Sequence, residues 1–206
     1  MNTLDCDELS VGYGHVPIVN TVSLTLNGGE WVHFYGKNGA GKSTLLKVFA
    51  ALKNPLSGRL LWNEDPVDGI LRQSYRRKIR YFGHERALFQ DLTVQDNWDL
   101  YTSLFELTGA SEGNVVGEVS PNRIVGQLSR GERQRVELAA LWPSDAPLLI
   151  LDEPFSSLDS HSQSLLEDFL RERVGNMRLV ITASPEANSV ADRLFHVTMN
   201  GMVEEE

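Results

Sequence analysis

Apolar positions along this chain come in short bursts divided by Gly, Pro, Asn and Ser, and the spacing inside each burst predicts its element. Val22, Leu24 and Leu26 alternate with Ser23 and Thr25, a half-buried strand pattern, and Asn27-Gly28-Gly29 closes it as a turn. Residues from about Leu4 to Leu26 read as strands interrupted at Val11-Gly12-Tyr13-Gly14, giving a small antiparallel sheet that leans on the core. Core strands are expected at Val32-His33-Phe34-Tyr35, Arg59-Leu60-Leu61-Trp62, Ile79-Arg80-Tyr81-Phe82, Leu148-Leu149-Ile150-Leu151, Leu179-Val180-Ile181-Thr182 and Phe195 to Met199. Helical spacing appears at Leu45, Leu46, Phe49 and Leu52 and from Leu92 to about Leu107, where Thr93 is a candidate cap. It recurs from Leu128 through Leu141, from Leu165 to Val174 and from Val190 to Leu194. Arg76 to Arg80 read as a solvated basic cluster, and Gly201 to Glu206 as an acidic end.

Strand and helix alternate through the core, so the fold class is α/β with a mainly parallel sheet. The run at Leu148–Leu151 is continuously apolar, as a strand buried on both faces should be. The expected organisation is a single domain over residues 1–206, with a helical subdomain inserted at about 88–142.

The first chemical signal sits between the Val32–Tyr35 strand and the helix after it. Gly36, Gly39, Gly41, Lys42 and Ser43 satisfy G-x-x-x-x-G-K-[ST], with Lys37, Asn38, Ala40 and Thr44 filling and ending the loop. Strand, glycine-rich turn and helix in that order predict a P-loop NTPase core. Glycines let backbone amides point inward at phosphate oxygens, and the helix N-terminus adds partial positive charge. Lys42 would reach the β- and γ-phosphates of ATP, and Ser43 would ligate Mg²⁺. Tyr13, on a strand, either offers its ring face to adenine or simply packs.

A second signal is Asp152-Glu153 at the end of the apolar strand. Asp152 is expected to hold the metal, mostly through water, and Glu153 to orient and polarise an attacking water.

Charge and cysteine content narrow the classes further. A net charge of -9 argues against a nucleic-acid binder, since phosphate backbones demand a basic surface. Cys6 stands alone, so neither an intrachain disulfide nor a cysteine metal cluster is possible. Met1 to Asp5 has neither the basic start nor the apolar core of a signal peptide, and no apolar run approaches the ~20 residues that cross a bilayer. A soluble chain is expected, with any membrane role arriving through a partner.

These motifs, in this order, resemble the ATP-binding subunits of ABC transporters. GKNGAGKS is the phosphate loop, LSRGE is similar to the family's LSGGQ signature, and LLILDEP is the strand with its two acids. Ser156-Ser157-Leu158-Asp159 looks like the D-loop that follows. The resemblance implies a second ATP-binding subunit whose Ser129 and Gly131, at a helix N-terminus, face the phosphate loop of the first across a shared ATP. It also implies a polytopic membrane permease, and a cytoplasmic protein held peripherally on the inner face of the cell membrane. Within the family, Tyr81-Phe82-Gly83-His84, Gly29-Glu30-Trp31-Val32, Leu138 to Trp142 and Asp152 to Phe155 look similar to the ATPase subunit of the haem exporter of cytochrome c maturation. The chain's own histidines (His15, His33, His84, His161 and His196) are scattered and mark no haem site.

Three departures bear on mechanism. His84 stands where the family usually carries Gln, and its imidazole can still donate to water or ligate a metal. Ala183, followed by Ser184-Pro185, stands where the family's switch histidine follows its strand, so hydrolysis is either slowed or carried by Ser184 or another residue. Arg130 and Glu132 replace a Gly and a Gln of the signature. Three readings therefore compete: an ATP-hydrolysing transporter subunit, an ATP-dependent clamp with weak or no hydrolysis, and a soluble relative in repair or translation. Other compact bacterial export ATPases compete with the haem exporter as the subfamily.

Overall fold

A computed structural model of the chain describes residues 2–83, 88–104, 119–141, 145–198 and 201–205. The chain divides into two compact units, the first formed by Met1–Gly83, Ala146–Glu153 and Leu170–Glu206, the second by His84–Asp145 and Pro154–Phe169.

The first unit holds two sheets. β1 (Thr3–Tyr13), β2 (Val16–Asn27), β4 (Ser57–Trp62) and β5 (Asp65–Pro66) form an antiparallel sheet in the order β2-β1-β4-β5. β1 runs through Gly12 to Tyr13 rather than stopping at Val11, and the hairpin turn falls on Gly14-His15. The second sheet contains β3 (Trp31–Tyr35), β6 (Ile79–Phe82), β7 (Leu148–Asp152), β8 (Leu179–Ser184), β9 (Arg193–Thr198) and β10 (Gly201–Glu205). Its order is β10-β9-β3-β8-β7-β6, and every pairing is parallel except the edge pair β9–β10.

α1 (Lys42–Phe49) lies in the layer the two sheets share. Leu45, Leu46 and Phe49 are fully buried in one apolar cluster with Leu4, Leu9 and Leu26 of the antiparallel sheet and Phe34, Ile150, Ile181 and Ala183 of the parallel one. Burying such side chains contributes about 1.5–3 kcal/mol each, which is what holds α1 against both sheets. Leu52, counted with that helix from its spacing, lies beyond it and is half exposed. The chain has already left the helix at Ala51, whose φ of 53° is left-handed.

α2 (Leu71–Arg77) has no periodicity to announce it, and the polar contacts of its arginines explain it. Arg72 and Arg76 each donate two guanidinium N–H groups to the Ala51 carbonyl, at 2.6–3.0 Å. They thus neutralise the negative end of α1. Arg76 is therefore a helix cap as well as part of a basic surface.

Two other expectations change. Val190–Leu194 is not helical: Asn188 takes the Val190 amide on its side-chain oxygen and the Ala191 amide on its carbonyl, making a turn. The Asp192 carboxylate accepts from the Trp31 amide at 2.7 Å, and the Asp192 amide donates to the Trp31 carbonyl at 2.8 Å. This reciprocal pair sets the point where β9 joins β3. The acidic end is a strand, β10, held because Arg193 makes a two-point bond to Glu204 at 2.6 and 3.0 Å.

The second unit contains α3 (Val94–Leu104) and α4 (Arg130–Leu141). Trp98, Val94, Leu128, Val136 and Ala139 form its buried cluster, and the Trp98 indole donates to the Val136 carbonyl at 3.2 Å. Thr93 caps α3 as its position suggests, exchanging bonds with Asp96. α5 (Ser160–Gly175) starts five residues before Leu165, where Asp159 accepts from the Ser162 amide at 2.8 Å.

Candidate functional site

β3 delivers the chain into the loop at the C-terminal edge of the parallel sheet, the edge where open α/β sheets bind ligands. Gly36 (φ 147°) needs glycine twice over, since a Cβ there would lie 2.2 Å from the Val197 carbonyl oxygen. Gly41 (φ 101°) occupies the cap position of α1, where a Cβ would meet Val19 and Ile18 of β2 at 2.7 and 2.8 Å. With glycine as the cap, no side chain takes the first amides of α1, and they open towards the loop. Gly39 also has a left-handed φ of 83°. Lys37, Asn38 and Gly39 form the exposed crest, closed by a bond from the Ala40 amide to the Lys37 carbonyl at 3.1 Å, while Ala40 itself is buried.

Lys42 is the buried charge of this loop, 5% exposed. Its Nζ donates to the carbonyls of Gly36 at 2.6 Å and Lys37 at 3.1 Å, arching back across the turn it follows. Burial lowers the Lys42 ammonium from its ordinary value, and the carboxylates of Glu153 and Asp152 pull it back up. That coupling brings the acids of β7 and the loop of β3 into one electrostatic site. Asp152 is 2% exposed at the end of β7, and Glu153, with φ 52°, turns the chain out of the strand while its amide donates to the Ala183 carbonyl at 2.8 Å. Ser43 is exposed on the first turn of α1.

The donor set suits a hard cation with a phosphate ligand. Ser43 offers a hydroxyl and Asp152 a carboxylate, all oxygen. No cluster of three or more His, Cys, Asp or Glu able to hold a metal exists among the described residues. A cation here would take much of its shell from phosphate and water, as Mg²⁺ does.

Tyr13 joins the same site from β1. Thr44 Oγ1 donates to its phenolic oxygen at 3.3 Å, and the Lys53 ammonium sits 3.9 Å above its ring centre. Tyr13 is nonetheless 58% exposed. Lys53 is a residue the sequence reading did not single out; its distance from Tyr13 in sequence hid it.

Ser129 and Gly131 belong to the second unit, at the start of α4. The Glu132 amide donates to Ser129 Oγ at 3.2 Å and the Ser129 amide to the Glu132 carboxylate at 2.8 Å. A Cβ on Gly131 would fall 2.7 Å from the Ser157 carbonyl oxygen, so this glycine lets α4 press against the Ser156-Ser157 turn. Arg123 also bonds Glu132, and Arg135 bonds Asp159 at 3.3 Å. Arg130 is exposed. His84 lies outside the described residues.

Ala183 is internal to β8, wholly buried, paired with Asp152 on one side and Phe34 on the other. Its methyl belongs to the apolar cluster around α1. His33, read from sequence as scattered, is the more informative histidine: fully buried on β3, it bonds Thr182, Ser184 and the Glu186 carbonyl.

A phosphate cradle, a buried lysine and a strand-end acid pair can be set against known proteins. The family model described as "ABC transporter" matches residues 19–156, more than half of the chain. The cytochrome c biogenesis ATP-binding export protein CcmA of Escherichia coli (strain K12) is 33% identical over 197 residues, covering 93% of each chain. Among solved structures, a putative ABC transporter ATP-binding protein from Pyrococcus furiosus superposes with a TM-score of 0.84 at 27% identity, over 95% of this chain and 97% of that one. The ATP-binding cassette MJ0796, in a dimeric post-hydrolysis state bound to ADP and Pi, shares the fold at a TM-score of 0.85 and 22% identity, covering 98% of each. The α/β core with a mainly parallel sheet, expected from the pattern of short apolar runs, is thus the P-loop cassette of these proteins, and the chain belongs to the ABC transporter family as an ATP-binding subunit.

Proposed function

We propose that this chain binds MgATP between its phosphate loop and the signature helix of a second ATP-binding subunit, hydrolyses it, and so drives a polytopic membrane permease. The observation that carries the reading is buried Lys42, bonded to the Gly36 and Lys37 carbonyls at the C-terminal edge of a parallel sheet in which β7 ends on buried Asp152. Phosphate oxygens would be held by the amides of residues 36–44, by Lys42 and by the open first turn of α1. Ser43 and Asp152 would hold Mg²⁺, which supplies charge neutralisation at the phosphates. Glu153 orients and polarises the attacking water, and the imidazole of His84 is a further candidate donor to that water. Ser129 and Gly131 meet the terminal phosphate of the opposite subunit, and Tyr13 stacks on the base. Both units of the chain together make one such cassette.

The similarity to CcmA supports haem export for cytochrome c maturation as the process served. No helix among the described residues is long and apolar enough to cross a membrane, which fits a subunit docked peripherally on the inner face through its permease. The assay is phosphate release by the purified complex with its membrane partner. Glu153→Gln should retain ATP and cut turnover by about 10²- to 10⁴-fold, as loss of a positioned base does. Turnover unaltered by that change would remove Glu153 from the mechanism.

One observation favours a second reading, an ATP-dependent clamp that closes without useful hydrolysis: Ala183 has no hydrogen-bonding side chain and points into the apolar cluster. Under that reading the wild-type complex binds ATP and dimerises, yet releases no phosphate above the level of Glu153→Gln.

A further inference from the structure

The acid on which the chemistry above depends leaves its strand in a costly conformation. Glu153 has φ 52°, in the left-handed region that residues other than glycine rarely occupy. The residue after it is Pro154, whose ring fixes its own φ and which has no amide hydrogen to give to a turn. A backbone held in this way persists only where its surroundings over-determine it.

Two hydrogen bonds supply that constraint, one on each side of the acid. The Glu153 amide donates to the Ala183 carbonyl of β8 at 2.8 Å. The Pro154 carbonyl accepts from Nε2 of Gln134, on the second turn of α4, at 2.6 Å. A carbonyl only accepts, so the Gln134 amide turns its NH2 to that side. Gln134 is 7% exposed and Pro154 is buried, so the carbonyl would be left without a donor if this side chain lost its N–H. The chain beyond is tied as well. Gln163 donates to the Phe155 and Leu158 carbonyls at 3.4 and 3.2 Å, and Arg135 bonds the Asp159 carboxylate at 3.3 Å. Of these three side chains, Gln134 alone holds the residue joined directly to the acid.

We propose that Gln134 is a positioning residue for hydrolysis: through the Pro154 carbonyl, its side-chain amide holds the backbone of Glu153 so that the carboxylate faces the attacking water. This rests on the hydrolysis reading above. Gln134 touches neither ATP nor water in this role. Its loss therefore leaves ATP binding in place and misplaces the base, and small misplacements of a reacting group are expensive in rate.

The experiment is steady-state phosphate release and ATP binding by the complete complex with its membrane partner. Gln134→Met, which keeps the length of the side chain and removes the donor, should lower kcat by about 10- to 100-fold and leave the Kd for ATP within about threefold. Gln134→His, whose Nε2 lies as many bonds from Cα and can donate, should recover part of the rate. In the Glu153→Gln background, Gln134→Met should change the residual turnover by less than about threefold, because a residue that acts through Glu153 has nothing further to lose there. Should Gln134→Met fail to fold, Gln134→Glu removes the N–H at constant shape and reads the same effect. Unchanged kcat in both variants, a fall in ATP affinity equal to the fall in rate, or the same loss with and without Glu153 would overturn the assignment. Turnover that depends on Glu153 but not on Gln134 defeats this proposal alone; turnover no higher in the wild type than in Glu153→Gln defeats the hydrolysis reading and this proposal with it.

Discussion

Ser129 and Glu132 cap α4 reciprocally, each accepting the other's backbone amide through its side chain, at 3.2 and 2.8 Å. This is a capping box, built on the signature motif itself. Glu132, which departs from the family's Gln, aims its carboxylate at the helix's own amide and at Arg123. Its negative charge is thereby spent on the helix dipole. Ser129 Oγ accepts the Glu132 amide while its hydroxyl bonds the Glu132 carboxylate, so both side chains are committed to the cap.

The cap makes stability depend on pH in a defined direction. The bonds from Ser129, with the added charge of Arg123, hold the Glu132 carboxyl at about 2, below its ordinary 4.5. A carboxylate with a depressed value contributes stability in full above its unfolded value and loses it as pH falls through the folded one. Glu132→Gln keeps the capping geometry and does not titrate. The stability advantage of the wild type over Glu132→Gln should shrink between about pH 4.5 and about pH 2 in denaturant titrations. A difference that stays flat over that window would mean the carboxylate is not engaged.

Two glycines give opposite predictions from the same substitution. Gly131→Ala places a methyl 2.7 Å from the Ser157 carbonyl oxygen, a backbone atom that cannot swing aside. The helix preference for alanine, ~1 kcal/mol, is offset by overpacking of about 1–3 kcal/mol, so α4 should shift or loosen. Gly175 lies at the end of α5 with open space about its Cβ position. Gly175→Ala should stabilise by about 0.4–1 kcal/mol. Urea midpoints for the two variants, side by side, check both signs; a stabilised Gly131→Ala would show that the close approach to Ser157 is not real.

Lys42→Met tests the centre of the phosphate site. The ammonium is buried and bonded to two loop carbonyls, so its loss removes charge-assisted bonds worth about 1.5–3 kcal/mol each. MgATP affinity by calorimetry should fall by about 10²-fold or more. Affinity within about threefold of wild type would place the phosphates elsewhere.

What could be read from the residues alone was local. The loop from Gly36 to Ser43 announces itself because strand, turn and helix signals are contiguous, and Leu148–Asp152 because a buried parallel strand is continuously apolar. α3 was legible from Thr93 and its spacing. What escaped depends on distant partners. α2 exists through arginines reaching back to Ala51, and Val190–Leu194 became a turn because Asp192 is claimed by Trp31. The partners of His33 lie 149, 151 and 153 residues away, and no pattern near it points to them. Ala183 stands just after the strand expected at Leu179–Thr182; β8 in fact runs two residues further, to Ser184, which buries Ala183 and leaves Ser184 at the edge.

Tyr13 and Lys53 offer the test that separates base recognition from phosphate recognition. The ring is held at its hydroxyl by Thr44, at one face by Lys53, and is otherwise exposed. A base stacked on the remaining face gains about 1–3 kcal/mol, so Tyr13→Ala should weaken ATP by roughly 5- to 100-fold. Magnesium tripolyphosphate, which has no base, should bind the variant as it binds the wild type. Lys53→Met removes a cation–π contact worth about 0.5–1 kcal/mol at an exposed site, so its effect on ATP should stay within about fivefold and again spare tripolyphosphate. Equal losses for both ligands would mean that Tyr13 supports the phosphate loop through Thr44 instead of carrying the base.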